Sequence, residues 1–159
     1  MTNEAATIDT PIGAFRAVVV DGAVRRAGFL DRRRNAAAEK DSAGVHDALV
    51  AYFAGDIDAL DAITVAPEGT AFRQRVWKEL REIRAGTTVS YGELAARVGA
   101  PGAARAVGTA NATNPVCLVI PCHRVVRAGG ALGGYGFGIE RKQWLLAHEE
   151  RPTGLFESA

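Results

Sequence analysis

The run NPVCLVIPCHRVV, Asn114 to Val126, constrains this chain more than any other stretch. Val116 to Ile120 are apolar without a break, the pattern of a buried strand rather than a surface one. Directly beyond them stand Cys122 and His123, two reactive groups in adjacent positions. Successive side chains of an extended strand point to opposite faces, so neighbours on a strand cannot simply share a site. Pro121 can end the strand and bend the chain, and a turn there would release the alternation. The stretch is a buried structural pair, a metal-ligand pair or the working end of an enzyme.

The chain of 159 residues, 48% hydrophobic and 23% charged, suits a globular protein of one domain or two small ones. No apolar run approaches the roughly 20 residues that span a bilayer, so no membrane partner is expected. No basic region leads into an apolar core near the N-terminus, so no secretory signal is read there and the expected compartment is the cytoplasm. Two cysteines five positions apart make no disulfide framework, which leaves a free thiol in a reducing compartment. Residues 1–68 carry 7 Lys and Arg against 11 Asp and Glu, and residues 69–159 carry 12 against 7. The basic second part could face a polyanion.

Along the chain, TIDTPIGAFRAVVVDGAVRRAGFLD alternates Val, Ile and Phe with the turn signals Pro11-Ile12-Gly13 and Asp21-Gly22, which predicts hairpin-linked strands. Val45, Leu49, Tyr52 and Phe53 share one helix face, with Gly55 as a stop. DAITVAP reads as a strand closing a small α+β module, and Pro67-Glu68-Gly69 as the junction to the next. Phe72, Val76, Trp77, Leu80 and Ile83 then predict an amphipathic helix to about Arg84, stopped by Gly86. In SYGEL, Ser90 and Glu93 have the spacing of a capping box opening a short helix to about Val98. After the break GAPG, Ala103 to Asn111 predicts a second short helix. Two short helices about a glycine turn have the form of a helix-turn-helix, a form that ordinary helical hairpins share. RAGGALGGYGFG is a loop whose backbone can approach something closely and lacks the lysine of a phosphate loop. A last helix, about Ile139 to Glu149, is expected to bury Trp144, Leu145 and Ile139.

Cys117, Cys122 and His123 fit no common structural zinc spacing, so no metal is expected. Cys117 reads as a small core residue of the strand. Cys122 has the same reading open to it. Against that stand the bend at Pro121, the nearby His123 and Arg124, and the glycine-rich loop, surroundings in which a thiol becomes a competent nucleophile. His123 alone could be a satisfied structural histidine and Glu149 a solvated acid; together with Cys122 they supply a nucleophile, a base and an orienting group.

PCHRV, preceded by NPVCLVI and followed by GGYGFGIERKQWLLAHE, resembles the O6-alkylguanine-DNA alkyltransferase family, and SYGELAARVGAPGAARAVGTANATNP extends the likeness. The similarity is close from about Thr70 to Glu149 and reaches the N-terminal part in pattern only. It implies an α+β fold: an N-terminal β-sheet and helix module, RNase H-like, over 1–68, then a mostly helical module with a winged-helix-like helix-turn-helix over 69–159. It implies stoichiometric, irreversible and cofactor-free transfer of an alkyl group, mainly methyl, from guanine O6 to the protein's own cysteine, with O4-alkylthymine as a second substrate. By matched position Cys122 would be the acceptor, His123 the base acting through a water, Glu149 the carboxylate that orients it, and Asn114 the brace of the turn. The partner implied is double-stranded DNA, entered by its minor groove with the damaged base flipped out. Ala104, Arg105 and Ala106 would contact it, with Arg105 filling the gap. Tyr91 would line the pocket, Val125 would offer its carbonyl to the guanine amino group, and Tyr135 and Gly136 would close over the base. A monomer able to assemble cooperatively on DNA is the associated expectation.

Some members of that family carry an N-terminal zinc site, and here no cysteine precedes Cys117. Gly136 stands where certain members have serine. Alkyltransferase-like proteins replace the acceptor cysteine, whereas Cys122 is present. Three other classes compete: a lesion sensor, which single-turnover alkyl transfer would separate; a methylation-activated regulator built on the helix-turn-helix, which a sequence-selective operator preference would support; and a Cys-His hydrolase, which catalytic turnover of acyl substrates would support and loss of activity after one equivalent would exclude.

Overall fold

Asp21 and Gly22 both take positive φ, 50° and 82°, the conformation that a two-residue hairpin turn of matching twist requires. They join β2 (Gly13–Val20) to β3 (Ala23–Leu30), and Pro11-Ile12 join β1 (Asn3–Thr10) to β2, giving an antiparallel sheet of order β1-β2-β3. This computed structural model describes residues 3–30, 41 and 43–150. Strand alternation places Ala6, Ile8, Phe15, Ala17, Val19, Val24 and Phe29 on the buried face. A bulge between Val18 and Val19 shifts the register so that Val24 and Phe29 share that face. Helix α1 (Val45–Phe53) packs on β1 through Val45, Leu49 and Tyr52, the face that the spacing predicts.

The free edge of β3 receives two short additions. Val24 exchanges backbone hydrogen bonds with Thr64 and Ala66, and Ala27 with Pro115 and Cys117. DAITVAP therefore forms one bridge at Val65 instead of the predicted strand. The apolar run is no strand either: Leu118 has φ 72°, and Val119 and Ile120 bond back to Cys117 and Val116, so it folds on itself. Its burial is as predicted, and its conformation is not, because a short apolar run has the same pattern whether it is extended or coiled inside a core.

In the second part, α2 (Ala71–Leu80) starts at Thr70, whose hydroxyl accepts from the Arg73 amide at 3.2 Å. It ends at Leu80, short of the predicted end near Arg84; Ile83 is still buried, but in the following turn. A side chain at Gly69 would strike the Trp77 indole. Ser90 caps α3 (Tyr91–Arg97) in the predicted capping box, and α4 (Ala104–Ala112) follows. The Trp77 indole N–H donates to the Ala110 carbonyl at 2.8 Å, tying α2 to α4. A two-residue parallel ladder, β4 (Val89–Ser90) with β5 (Val125–Val126), holds the start of α3 beside the end of the Cys-His segment. Helix α5 (Ile139–His148) buries Leu145 and half-buries Trp144, whereas Ile139 is 42% exposed at the first turn. The helix buries Lys142 instead. Core side chains from β1 to α5 form one continuous cluster.

Candidate active site

Pro121, at φ −82° and ψ 66°, breaks the chain into a single 3₁₀ turn, Cys122–Arg124. Three residues per turn set consecutive side chains about 120° apart, so Cys122, His123 and Arg124 go three ways. Cys122 is 9% exposed and opens on a cavity; His123 and Arg124 are buried behind it. The turn is held from both sides. The Asn114 side-chain amide donates to the Ile120 carbonyl at 2.8 Å while its oxygen accepts from the Val116 amide at 3.0 Å. Asn111 of α4 donates to the Cys122 carbonyl at 3.3 Å.

Behind the turn lies a closed polar cluster around Glu149, which caps α5 and is 1% exposed. Its Oε2 lies 2.8 Å from His123 Nε2, 2.9 Å from Arg124 Nη2 and 2.7 Å from the Tyr52 hydroxyl; Oε1 accepts from Arg124 Nε at 2.9 Å. Arg124 also donates to the Ile83 carbonyl at 2.6 Å, so it clamps the carboxylate and does not face the thiol as its sequence position suggests. Burial alone would raise the Glu149 carboxyl, but the neighbouring His123 and Arg124 outweigh it and hold the group far below the usual carboxylate range. An ionised carboxylate only accepts, so the proton between the two groups sits on His123 Nε2. Nδ1 is then the basic nitrogen, and it is buried with no hydrogen-bond partner among the described residues. Burial pushes the imidazole below its ordinary value against the pull of Glu149, which keeps it neutral. Burial raises the Cys122 thiol, only partly offset by the Asn114 hydrogen bond and the charge of Lys142. At rest the site holds a protonated thiol next to a neutral imidazole with a free lone pair.

The cavity, about 190 Å³, is lined by Tyr91, Asn111, Asn114, Cys117, Cys122 and the loop residues Tyr135, Gly136 and Phe137. Tyr91 opens α3 and packs so closely on Gly133 that a Cβ there would lie 3.2 Å from its hydroxyl. Burial, then the nearby Cys122, raises the Tyr91 phenol, which stays protonated. The Tyr135 hydroxyl lies 3.0 Å from Cys117 Sγ. Lys142 fixes the loop, its three ammonium protons meeting the carbonyls of Val125 at 2.7 Å, Leu132 at 2.5 Å and Gly134 at 3.1 Å. Burial lowers it to about 8. The Val125 carbonyl, expected to serve the guanine amino group, also accepts from Lys142 and keeps a second lone pair. Beside the cavity, α4 presents Arg105 and Ala106 exposed and Ala104 half-buried on its first turn. Among the described residues no group of three His, Cys, Asp or Glu is placed to hold a metal ion, and no helix is long and apolar enough to cross a membrane.

The residues singled out as site residues in the sequence lie on the turn, in the cluster behind it, around the cavity or on the α4 face, except Val125, which stands in β5 directly after the turn. Sequence reasoning missed the site roles of Tyr52, Asn111 and Lys142. Each sits in a regular helical pattern, and its partners are brought to it only by the tertiary fold.

A thiol set between a buried His–Glu pair and a cavity, on a turn tied to the second of two consecutive short helices, is the arrangement of a protein that uses a cysteine as nucleophile. Residues 71–151 match the family described as 6-O-methylguanine DNA methyltransferase, DNA binding domain. The chain is 45% identical to the methylated-DNA--protein-cysteine methyltransferase of Mycolicibacterium paratuberculosis, over 91% of each chain. It is 51% identical to the Salmonella typhimurium protein of that name over 67% of this chain, an alignment that spans 62% of the relative's length. The Mycobacterium tuberculosis OGT solved in complex with DNA superposes with a TM-score of 0.78 at 43% identity over 92% of each chain. The chain belongs to the O6-methylguanine DNA methyltransferase family.

Proposed function

We propose that this protein reverses DNA alkylation directly, transferring the alkyl group, mainly methyl, from O6 of guanine to Sγ of Cys122 in one irreversible turnover. The observation that carries the reading is the buried His123–Glu149 pair behind a thiol that opens on a cavity. In the reaction, His123 Nδ1 takes the thiol proton through a bridging water, and Glu149 stabilises the imidazolium that forms. The S–C bond forms as the O6–C bond breaks. The guanine leaves with the electron pair of the broken bond, and the Tyr91 hydroxyl donates to the ring as negative charge develops on it. Thioether formation leaves no route to regenerate the thiol, so the protein is consumed.

An atom inside a stacked duplex is out of reach of a buried thiol, so the base must be turned out, at a cost of a few kcal/mol. Residues 69–159 would bind double-stranded DNA by the minor groove, with Ala104 and Ala106 allowing close approach of α4 and Arg105 entering the gap. Asn114 braces the turn. Val125, Tyr135 and Gly136 would hold the flipped base, with O4-alkylthymine as a second substrate. Residues 1–68 would form the scaffold module. The free acceptor thiol suits the cytoplasm.

Intact-protein mass spectrometry after mixing with an O6-methylguanine duplex tests this. One methyl equivalent should appear on Cys122, saturate at one per protein, and vanish in Cys122→Ala. Methyl on Cys117, or binding of the duplex without mass gain, would overturn the reading.

A further inference from the structure

Tyr52 is fully buried at the end of α1, 97 positions before Glu149, and two consecutive residues at the end of α5 grip it. His148 Nε2 donates to its carbonyl at 2.7 Å, and the Glu149 carboxylate accepts from its hydroxyl at 2.7 Å. The His148 ring meets the Tyr52 ring edge-on at 5.1 Å and stacks on Trp144 at 4.6 Å, which fixes the phenol in place. The hydroxyl does not bond to an idle oxygen. It uses Oε2, the atom that also accepts from His123 and Arg124, while Oε1 takes only Arg124 among the described residues.

We propose that Tyr52 is a positioning residue for alkyl transfer: through the shared Glu149 oxygen, the N-terminal part of the chain sets the basicity of His123. The inference rests on the reading of Cys122 as acceptor and His123 as its base. An oxygen that serves three donors divides its negative charge among them, so each donor weakens the hold of the others. The Tyr52 O–H therefore moderates the pull of the carboxylate on the imidazole N–H. His123 stays neutral with Nδ1 available, where an undivided carboxylate would favour the imidazolium. The other charges facing the pair act in the same sense or not at all. Arg124 from the 3₁₀ turn and Lys142 from α5 both oppose a charged imidazole. Cys122 and Cys117, raised by burial, are neutral at rest. His148 reaches the cluster only through the Tyr52 carbonyl and ring.

Tyr52→Phe keeps the ring and removes only the donor. In the full, unalkylated chain, ¹⁵N-histidine NMR should show the His123 titration displaced upward by roughly one pH unit. The acid limb of the single-turnover transfer rate should move the same way, with affinity for unmodified duplex unchanged. Phe53→Leu, in the same aromatic cluster, is the packing control: it should lower the melting temperature and leave the titration and the limb in place. An unmoved His123 titration in Tyr52→Phe, or an equal displacement in Phe53→Leu, would overturn the inference. Absence of methyl transfer by the wild-type chain would strike the acceptor reading instead, and the NMR titration would still decide the coupling.

Discussion

Cys122 lies between two regions built on opposite terms. Behind it, His123, Arg124, Glu149 and Tyr52 are buried, and every oxygen of the carboxylate is bonded. In front of it, the first turn of α4 carries an exposed Arg105 between small alanines, and the guanidinium makes no hydrogen bond to another described residue. The first region is assembled by folding and is complete before any partner arrives. On the proposed function, the second would be completed only against DNA. Stability and function should therefore be inseparable behind the thiol and separable in front of it, and substitutions ordered by their cost to the folded state test that contrast.

The largest cost falls at Glu149→Gln. It leaves Arg124 buried beside a neutral amide and takes the orienting charge from His123. Breaking a buried pair in this way costs about 3–5 kcal/mol. Denaturant unfolding should show that loss, and methyl transfer to Cys122 should slow along with it. A variant with unchanged stability and slowed transfer would break the contrast, since the relay would then be functional machinery that the fold does not need.

A smaller effect is expected from acid. The Glu149 carboxyl is depressed in the folded chain, so its stabilisation is present above the ordinary carboxylate value of 4.5 and is lost as pH falls below it. His123 is depressed too: the unfolded chain takes up a proton below about 6.5 that the folded chain resists, so stability also falls as pH drops through that value. Both slopes have the same sign. Unfolding free energy should begin to decline below about pH 6.5 and steepen below about 4.5, each coupled proton adding up to about 1.4 kcal/mol per pH unit. Glu149→Gln should lose the steeper part. Parallel curves for the two proteins would place the acid sensitivity elsewhere.

How much of this was legible in the sequence follows the same division. Local devices were: the Asp21-Gly22 turn, the α1 face, and the Ser90–Glu93 capping box, because their partners lie two to four residues away. The reactive turn is legible in Pro121, Cys122 and His123, and the roles expected of its residues rest on the family resemblance. What could not be seen depends on long-range closure. Tyr52 reads as one apolar position of a helix until Glu149 arrives from 97 residues on. Lys142, in IERKQWLLAH, reads as a solvent-facing cation until the loop carbonyls of Leu132 and Gly134 surround it. The run Val116–Ile120 declares its burial and conceals its shape, since nothing in five apolar residues specifies the positive φ at Leu118.

The smallest cost to the fold is expected at Arg105→Ala, and it is the sharpest test of the contrast. The side chain is exposed, on a helix whose packing rests on Val107, Ala110 and Asn111, so stability should stay within about 0.5 kcal/mol of wild type. If Arg105 fills the gap left by the turned-out base, its loss weakens one step, extrusion from the duplex, which itself costs a few kcal/mol. Forfeiting even about 1.4 kcal/mol of that compensation slows repair roughly tenfold. A free O6-alkylguanine base needs no extrusion and meets the same Cys122, His123 and Tyr91, so its transfer rate should not change. The measurement is a pair of single-turnover rates on duplex and free base, with the melting temperature recorded beside them. Equal losses on both substrates would mean that Arg105 acts on the cavity rather than on the DNA. A lowered melting temperature would mean that the front of the site, like the back, is held by the fold.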